Sequence, residues 1–166
     1  MFPWPPLPPL HMINEELSSE ITLQPIKRFD LDAAIIFSDI LMLPYGLGQE
    51  VKFEKNFGPK LGNLNLSEIA KIDEIDFVEK IHRVYKAIKK VSSDTILNNK
   101  NTIGFVGAPW TLLVYMINQQ SPKKNLKKDF FKDEFLINRI LLIIEKFLRV
   151  HIKNQIDNGA NVIQIF

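Results

Sequence analysis

The amino-acid sequence predicts an α/β fold built around a parallel sheet. Short apolar runs of strand length alternate with longer amphipathic helices, the pattern of strand–helix–strand units with right-handed crossovers. The first of these runs is apolar without interruption, as expected for a strand buried on both faces of a sheet. The 166 residues, 46% hydrophobic and 24% charged, suffice for one globular domain with a sizeable core.

The chain is predicted to begin its ordered part with a helix and a buried strand. Asn14 is suited to cap a helix that has two glutamates in its first turn and continues to Arg28. Pro25 is expected to kink this helix because it cannot donate the backbone hydrogen bond. The apolar run from Ala33 to Phe37 then predicts the first strand.

A hairpin and a long helix are predicted next. The stretch 49–64 alternates apolar and polar residues between glycine and proline breaks, which indicates a short hairpin or an extended loop. Asp76 is expected to cap a long helix that ends near Val91, since apolar residues recur there every three or four positions.

A second strand and helix follow. Residues 102–106 have the composition of a short strand, and Gly107-Ala108-Pro109 ends it. Proline is favoured in the first turn of a helix, which predicts a helix over 110–119.

The last part of the chain is predicted to be a long helix and a third strand. The helix extends from about Asp133 to Asn158, and Gly159 is well placed just past its end. Residues 162–166 are predicted to form the strand, with no later element to cover it, so we expect part of a larger α/β fold. The apolar face of the helix is predicted to contain Phe135, Ile140, Ile144, Phe147, Leu148, Ile152 and Ile156.

Composition argues against several classes of function. The net charge is only +2, and the main basic cluster, Lys123-Lys124 with Lys127-Lys128, lacks interleaved aromatics, so we expect a solvated helix start and no nucleic-acid partner. The chain has no cysteine, which excludes disulfides and thiolate metal sites. No apolar run reaches the roughly 18 residues of a membrane span. His11 lies in the leader and His82 and His151 are predicted on helices; they are too scattered for a metal site, and surface or boundary positions are expected.

The first 13 residues differ in composition from the rest. Five of the first nine are proline, and the segment has neither the basic region nor the uninterrupted apolar region of a signal peptide. We expect a disordered leader over 1–13 and a folded domain over 14–166. A polyproline ligand for a proline-recognising domain is the alternative. The absence of a targeting signal predicts a cytoplasmic location.

One stretch, Ser38-Asp39, places a carboxylate where the first apolar run ends. Ligands of parallel α/β folds bind at the carboxyl ends of strands, where the turn at Gly107 also falls. Tyr115, one and a half turns into the next helix, would reach the same place, with Phe105 and Trp110 as aromatic walls. The alternative is that Ser38-Asp39 caps a turn and that Tyr115 and Trp110 belong to the core.

Three stretches of the sequence closely resemble uroporphyrinogen decarboxylase. They are EITLQPIKRFDLDAAIIFSDILMLPYGLGQEVKF (20–53), IGFVGAPWTLLVYMI (103–117) and QIDNGANVIQIF (155–166), in the family's order and spacing. The resemblance covers residues 14–166 almost without interruption, and FSDIL with GFVGAPWTL is highly specific to the family.

The resemblance implies a fold and an activity. The family fold is a (β/α)8 TIM barrel, of which this chain would form about the first three βα units. The family removes carbon dioxide from the four acetate side chains of uroporphyrinogen III, giving coproporphyrinogen III in heme biosynthesis, without a metal or organic cofactor. Asp39 matches the aspartate that accepts hydrogen bonds from the pyrrole N–H groups. Tyr115 matches a tyrosine near a reacting acetate, and Phe105 an apolar wall of the cleft.

The sequence also departs from the family. The family's arginine-rich motif lies upstream of the matched part, and here MFPWPPLPPLH stands in its place. The four arginines, at positions 28, 83, 139 and 149, are each predicted to lie on the surface of a helix. Later family strands, with a substrate-binding serine and a histidine, lie beyond residue 166. We therefore expect an incomplete decarboxylase that is inactive by itself.

Two other readings stay open. The chain could be a non-catalytic fragment that binds a complementary chain or a proline-recognising partner. Corrinoid-dependent methyltransferases that use zinc share the fold, but the sequence has no pattern of zinc ligands, and GAPWTL follows the decarboxylases. The family is commonly a homodimer, a property that the resemblance does not secure for this chain.

Overall fold

A computed structural model of the chain describes residues 14–54, 58–121 and 132–166. The predicted leader and the basic cluster at 123–128 lie outside the described residues. The elements follow one another in the order α1 (Glu15–Phe29), β1 (Ala33–Ile35), α2 (Met42–Gly46), β2 (Val51–Glu54), β3 (Gly58–Leu61), α3 (Leu66–Ile69), α4 (Glu74–Ser92), β4 (Asn101–Val106), α5 (Pro109–Asn118), α6 (Glu134–Asp157) and β5 (Val162–Ile165).

The three predicted strands form one parallel sheet in the order β1-β4-β5. Ala34 lies opposite Thr102, and Ile103 lies opposite both Ile35 and Val162. The long helices α4 and α6 connect β1 to β4 and β4 to β5. Parallel neighbours joined through helices are the predicted α/β arrangement.

The expected burial of the first strand on both faces is wrong. Ala34 and Ile36 are buried against helices, but Ile35 between them is 62% exposed. Alternate residues of a strand point to opposite faces of a sheet. Helices therefore cover one face, and the other face at Ile35 is not covered by any part of the chain that the structure describes.

The helices α1 and α4 begin at aspartate or asparagine caps. The side chain of Asn14 accepts a hydrogen bond from Leu17 N at 3.1 Å, as predicted, and α1 continues through Pro25. The cap of α4 is Asp73, whose Oδ1 accepts from Asp76 N at 2.8 Å, so the assignment of this cap to Asp76 is wrong by three residues. Asp76 instead supplies the backbone donor in the first turn.

The long helix α6 agrees with its predicted bounds, with Asp133 as its N-cap and Asn158 as its C-cap. Gly159 follows with a φ of +108°, which glycine adopts without the steric cost that other residues meet. Five of the seven residues predicted for its apolar face are buried or half-buried. Phe135 and Ile156 are exposed, because the helical repeat directs both side chains away from the stripe that Ile140, Ile144 and Phe147 bury.

The predicted hairpin is confirmed, with β2 antiparallel to β3. Gln49 links the hairpin to α5. The buried Nε2 of Gln49 donates to Gly62 O and to Met116 O, both at 2.9 Å. Gln49→Ala should therefore lower the free energy of unfolding by about 1–2 kcal/mol, because the Met116 carbonyl loses this buried donor and the half-buried Gly62 carbonyl keeps only the one from Gln119 Nε2. Urea unfolding measures the loss. Gln120→Ala, a change at a half-buried residue that pairs with Lys60 of the hairpin, should cost less.

Among the residues that the structure describes, no helix is both long enough and apolar enough to cross a membrane.

Candidate functional site

The carboxyl ends of β1 and β4 meet in space. After β4 the chain turns at Gly107, and a Cβ placed on this glycine would lie 3.3 Å from Ile40 Cβ and 2.8 Å from Leu112 Cδ2. The loop after β1 and the turn after β4 are thus in direct contact, and a larger residue at position 107 would separate them. Asp39 precedes Ile40 in this contact, so the structure brings the two predicted halves of the site together.

Asp39 holds the turn that leads into α2. Its Oδ1 accepts a hydrogen bond from Leu41 N at 2.7 Å, and its carbonyl oxygen accepts from Met42 N at 3.1 Å. The alternative that Ser38-Asp39 caps a turn is therefore correct for one carboxylate oxygen. None of the described residues donates to the other oxygen, Oδ2. One side chain thus both fixes the loop and offers an acceptor to an external donor.

The electrostatic environment of Asp39 favours a bound positive charge. Burial raises the pKa of this carboxyl, and the hydrogen bond from Leu41 N lowers it by a smaller amount. A half-buried carboxylate has lost part of its hydration, so a cation or a polarised N–H group placed beside it restores stabilisation that water no longer supplies.

Phe105 lies on the sheet face that the helices leave uncovered. It alternates along β4 with the buried Gly104 and Val106, and its ring meets that of Phe166 edge-on, with centroids 5.7 Å apart. The backbone of Phe166 continues the ladder, donating to Val106 O at 3.0 Å and accepting from Ala108 N at 2.6 Å. Phe166 was not predicted as a site residue. The signal that places it there is the parallel pairing of β5, the third predicted strand, with β4, the second predicted strand.

Tyr115 and Trp110 both lie on α5, which starts at the Gly107 turn. Tyr115 is half-buried and packs against the main core, and no described residue forms a hydrogen bond with its hydroxyl. Within the described residues no hydrogen bond joins Tyr115 to Asp39. Trp110 is 55% exposed, so its alternative assignment to the core is wrong.

Arg28, Arg83, Arg139 and Arg149 are all exposed on α1, α4 and α6, as predicted. No group of three histidine, aspartate or glutamate side chains in the described ranges is arranged to hold a metal ion.

His151 is the clearest error among the predicted positions. It is only 4% exposed and lies on the face of α6 that packs against α4, rather than at a surface or boundary. Its Nδ1 lies 2.9 Å from Tyr85 Oη, and its Nε2 lies 3.2 Å from Gln155 Nε2, which also donates to Phe105 O. Burial lowers the pKa of His151 to about 4 and raises that of Tyr85. The spacing from Phe147, four residues earlier on the same helix face, is the signal that predicts this burial.

Comparison with known proteins gives a consistent family. A family model described as Uroporphyrinogen decarboxylase (URO-D) matches residues 11–166. The uroporphyrinogen decarboxylase of Campylobacter jejuni is 40% identical over 153 residues, covering 90% of this chain and 45% of that protein. The corresponding protein of Rickettsia bellii is 41% identical over 151 residues, covering 90% and 44%. The chain thus spans less than half the length of these relatives.

A solved structure supports the architecture. A methyltransferase from Methanosarcina mazei superposes with a TM-score of 0.76 at 20% identity, over 95% of this chain and 47% of that chain. Identity this low concerns the fold alone. The chain is therefore part of a (β/α)8 barrel, and β1, β4 and β5 are three of its parallel strands, as predicted.

Proposed function

The chain belongs to the uroporphyrinogen decarboxylase family, and on that premise we propose that it supplies the aspartate-bearing part of a uroporphyrinogen decarboxylase active site. The reaction removes the four acetate carboxylates of uroporphyrinogen III. At each acetate the bond to the carboxyl carbon breaks, carbon dioxide leaves and a proton takes its place, so the side chain becomes methyl. The product is coproporphyrinogen III.

The observation that carries this proposal is the carboxylate of Asp39. It lies at the carboxyl end of β1, half-buried, with one oxygen fixed by Leu41 N and the other open. A pyrrole N–H group is a donor of the kind that Oδ2 can accept. Since the loop is fixed before any ligand arrives, the acceptor needs little reorganisation on binding.

The chemistry needs a negative charge at this place. Protonation of a pyrrole carbon makes the ring cationic, and that cation receives the electron pair of the breaking carbon–carbon bond. A carboxylate beside the ring nitrogens stabilises the cation as it forms, and partial burial strengthens the interaction compared with water. This role requires the ionised form of Asp39, which acts through its charge.

The other two predicted residues have supporting roles in this proposal. Phe105, on the uncovered sheet face beside Phe166, offers apolar surface to the macrocycle. Tyr115 keeps a hydroxyl without a partner among the described residues, which suits a hydrogen bond to substrate near a reacting acetate.

A chimeric enzyme tests the proposed function. The aligned part of the Campylobacter jejuni decarboxylase is replaced by the matching residues of this chain, and uroporphyrinogen turnover is followed by chromatography of the product. The chimera should form coproporphyrinogen. A folded chimera with no turnover would show that these residues do not supply a working part of the site.

The 166-residue chain by itself is expected to show no turnover. It spans about 45% of the relatives' length, and no described strand pairs with the outer edge of β1 or of β5. The same edges favour the second candidate, a non-catalytic fragment that binds a complementary chain. An inactive chimera, together with tight association of this chain with the remaining part of the relative, would favour that candidate.

A further inference from the structure

We infer that Ser18 and Thr22 of α1 are positioning residues for Asp39. Their hydroxyls hold both backbone hydrogen-bonding groups of Phe37, and so fix the direction in which the chain leaves β1 towards the carboxylate. The importance of Asp39 for catalysis rests on the proposed function. The geometry that positions Asp39 is independent of the proposed function.

The three residues form a closed set of hydrogen bonds. Phe37 N donates to Thr22 Oγ1 at 2.8 Å, and the Thr22 hydroxyl donates to Ser18 O at 2.7 Å. The Ser18 hydroxyl donates to Phe37 O at 2.5 Å. Each hydroxyl hydrogen is used once, so all of these bonds exist together.

At Phe37, helix α1 occupies the edge where a neighbouring strand would otherwise pair. Ile36 N donates to Ile103 O of β4 at 3.0 Å, and successive residues of a strand direct their backbone groups to opposite edges. The groups of Phe37 therefore point to the outer edge of β1, away from β4. Ser18 and Thr22, each 4% exposed, satisfy them with buried side chains.

Asp39 is held on both sides as a result. Phe37, two residues before it, is fixed by α1, while its own turn is fixed by Leu41 N and Met42 N. Neither hydroxyl touches the carboxylate, so both act through the backbone. Loss of the Phe37 anchor would free the loop between Ile36, still bonded to Ile103 O, and the turn at Asp39, and the half-buried carboxylate would gain access to water.

Nuclear magnetic resonance on the 166-residue chain tests this inference. Thr22→Val keeps the shape of the side chain and removes the acceptor for Phe37 N. The amide hydrogen of Phe37 should exchange about tenfold faster. The measured pKa of the Asp39 carboxyl, read from its carbon shift, should move down towards its ordinary value. Ser18→Ala should move it in the same direction.

Ser19→Ala is the matched control. Ser19 is also buried on α1, but its hydroxyl donates to Glu15 O at 2.6 Å and forms no hydrogen bond with Phe37. It should lower the unfolding midpoint without moving the Asp39 titration. Thr22→Ser, which keeps the hydroxyl and is expected to fold, should retain the original titration. If Thr22→Val and Ser18→Ala shift the measured pKa of Asp39 no more than Ser19→Ala does, the inference is wrong.

The same variants in the chimera separate this inference from the proposed function. Turnover should fall several-fold in Thr22→Val and be rescued in Thr22→Ser. A shifted Asp39 titration with unchanged turnover would uphold the positioning and contradict the catalytic role of Asp39. If these variants leave the Asp39 titration unshifted while Asp39→Asn loses turnover, the positioning role is contradicted and the catalytic role of Asp39 is supported.

Discussion

Asp39→Asn is expected to slow decarboxylation by the chimeric enzyme about a hundredfold to a thousandfold while leaving the fold intact. An amide is neutral and has one acceptor oxygen, so if that oxygen keeps the hydrogen bond from Leu41 N, the NH2 group takes the place of Oδ2 and can neither accept from a pyrrole N–H group nor compensate the positive charge of the protonated ring. Removal of one preorganised electrostatic group from an active site typically has an effect of this size. Rates with saturating uroporphyrinogen measure it, since the loss should appear mainly in kcat.

The same substitution should not destabilise the protein. Burial raises the pKa of Asp39 in the folded state, so the folded chain holds this proton more tightly than the unfolded chain does. Stability from this group is therefore present at low pH and lost as the pH rises through the folded pKa. Asparagine removes that loss and keeps an acceptor for Leu41 N, so the free energy of unfolding at pH 7 should stay equal or rise.

Two variants control this prediction. Asp39→Ala also removes the acceptor for Leu41 N, and should lower the free energy of unfolding by about 1 kcal/mol. Asp32→Asn changes an exposed carboxylate at the opposite end of β1, and should leave turnover unchanged. If Asp39→Asn retained the original kcat, the carboxylate would have no part in the chemistry.

Acid should weaken the fold through His151, the second large effect. Its pKa is lowered to about 4 by burial, against an ordinary value of 6.5. The unfolded chain therefore takes up this proton at a higher pH than the folded chain. The corresponding stability is fully present above pH 6.5 and is lost as the pH falls towards 4, by a total of about 3 kcal/mol.

Comparison of the natural chain with two histidine variants isolates the contribution of His151 to the pH dependence of stability. Urea unfolding is measured between pH 7 and pH 4.5 for the natural chain, for His151→Gln and for His82→Gln, the half-exposed histidine of α4. His151→Gln should be less stable at pH 7, because Tyr85 and Gln155 lose a partner, but its stability should fall less on acidification. His82→Gln should follow the natural chain. Parallel pH curves for His151→Gln and the natural chain would contradict the prediction.

The sequence predicted the elements well because they depend on local patterns. The apolar run at 33–37, the turn at Gly107-Pro109 and the spacing in α6 each fix a strand or helix through periodicity and capping. The carboxyl-end rule then placed Asp39 beside the Gly107 turn, and the contact of Ile40 with Gly107 agrees with it.

What the sequence did not reveal depends on long-range packing. The exposure of Ile35 depends on what lies across the sheet, which one strand's composition does not encode. Ser18 and Thr22 look like ordinary helix residues until α1 lies along the edge of β1, and only then do their hydroxyls meet Phe37. The surface or boundary position predicted for His151 was wrong, although its spacing from Phe147 places it on the buried face of α6.

The central claim is that Asp39 meets the pyrrole nitrogens of the substrate. A crystal structure of the chimera with coproporphyrinogen bound measures this contact directly. The account predicts Asp39 Oδ2 within about 2.7–3.2 Å of a pyrrole nitrogen, with Oδ1 still bonded to Leu41 N. A macrocycle bound elsewhere, with Asp39 serving only its own turn, would contradict it.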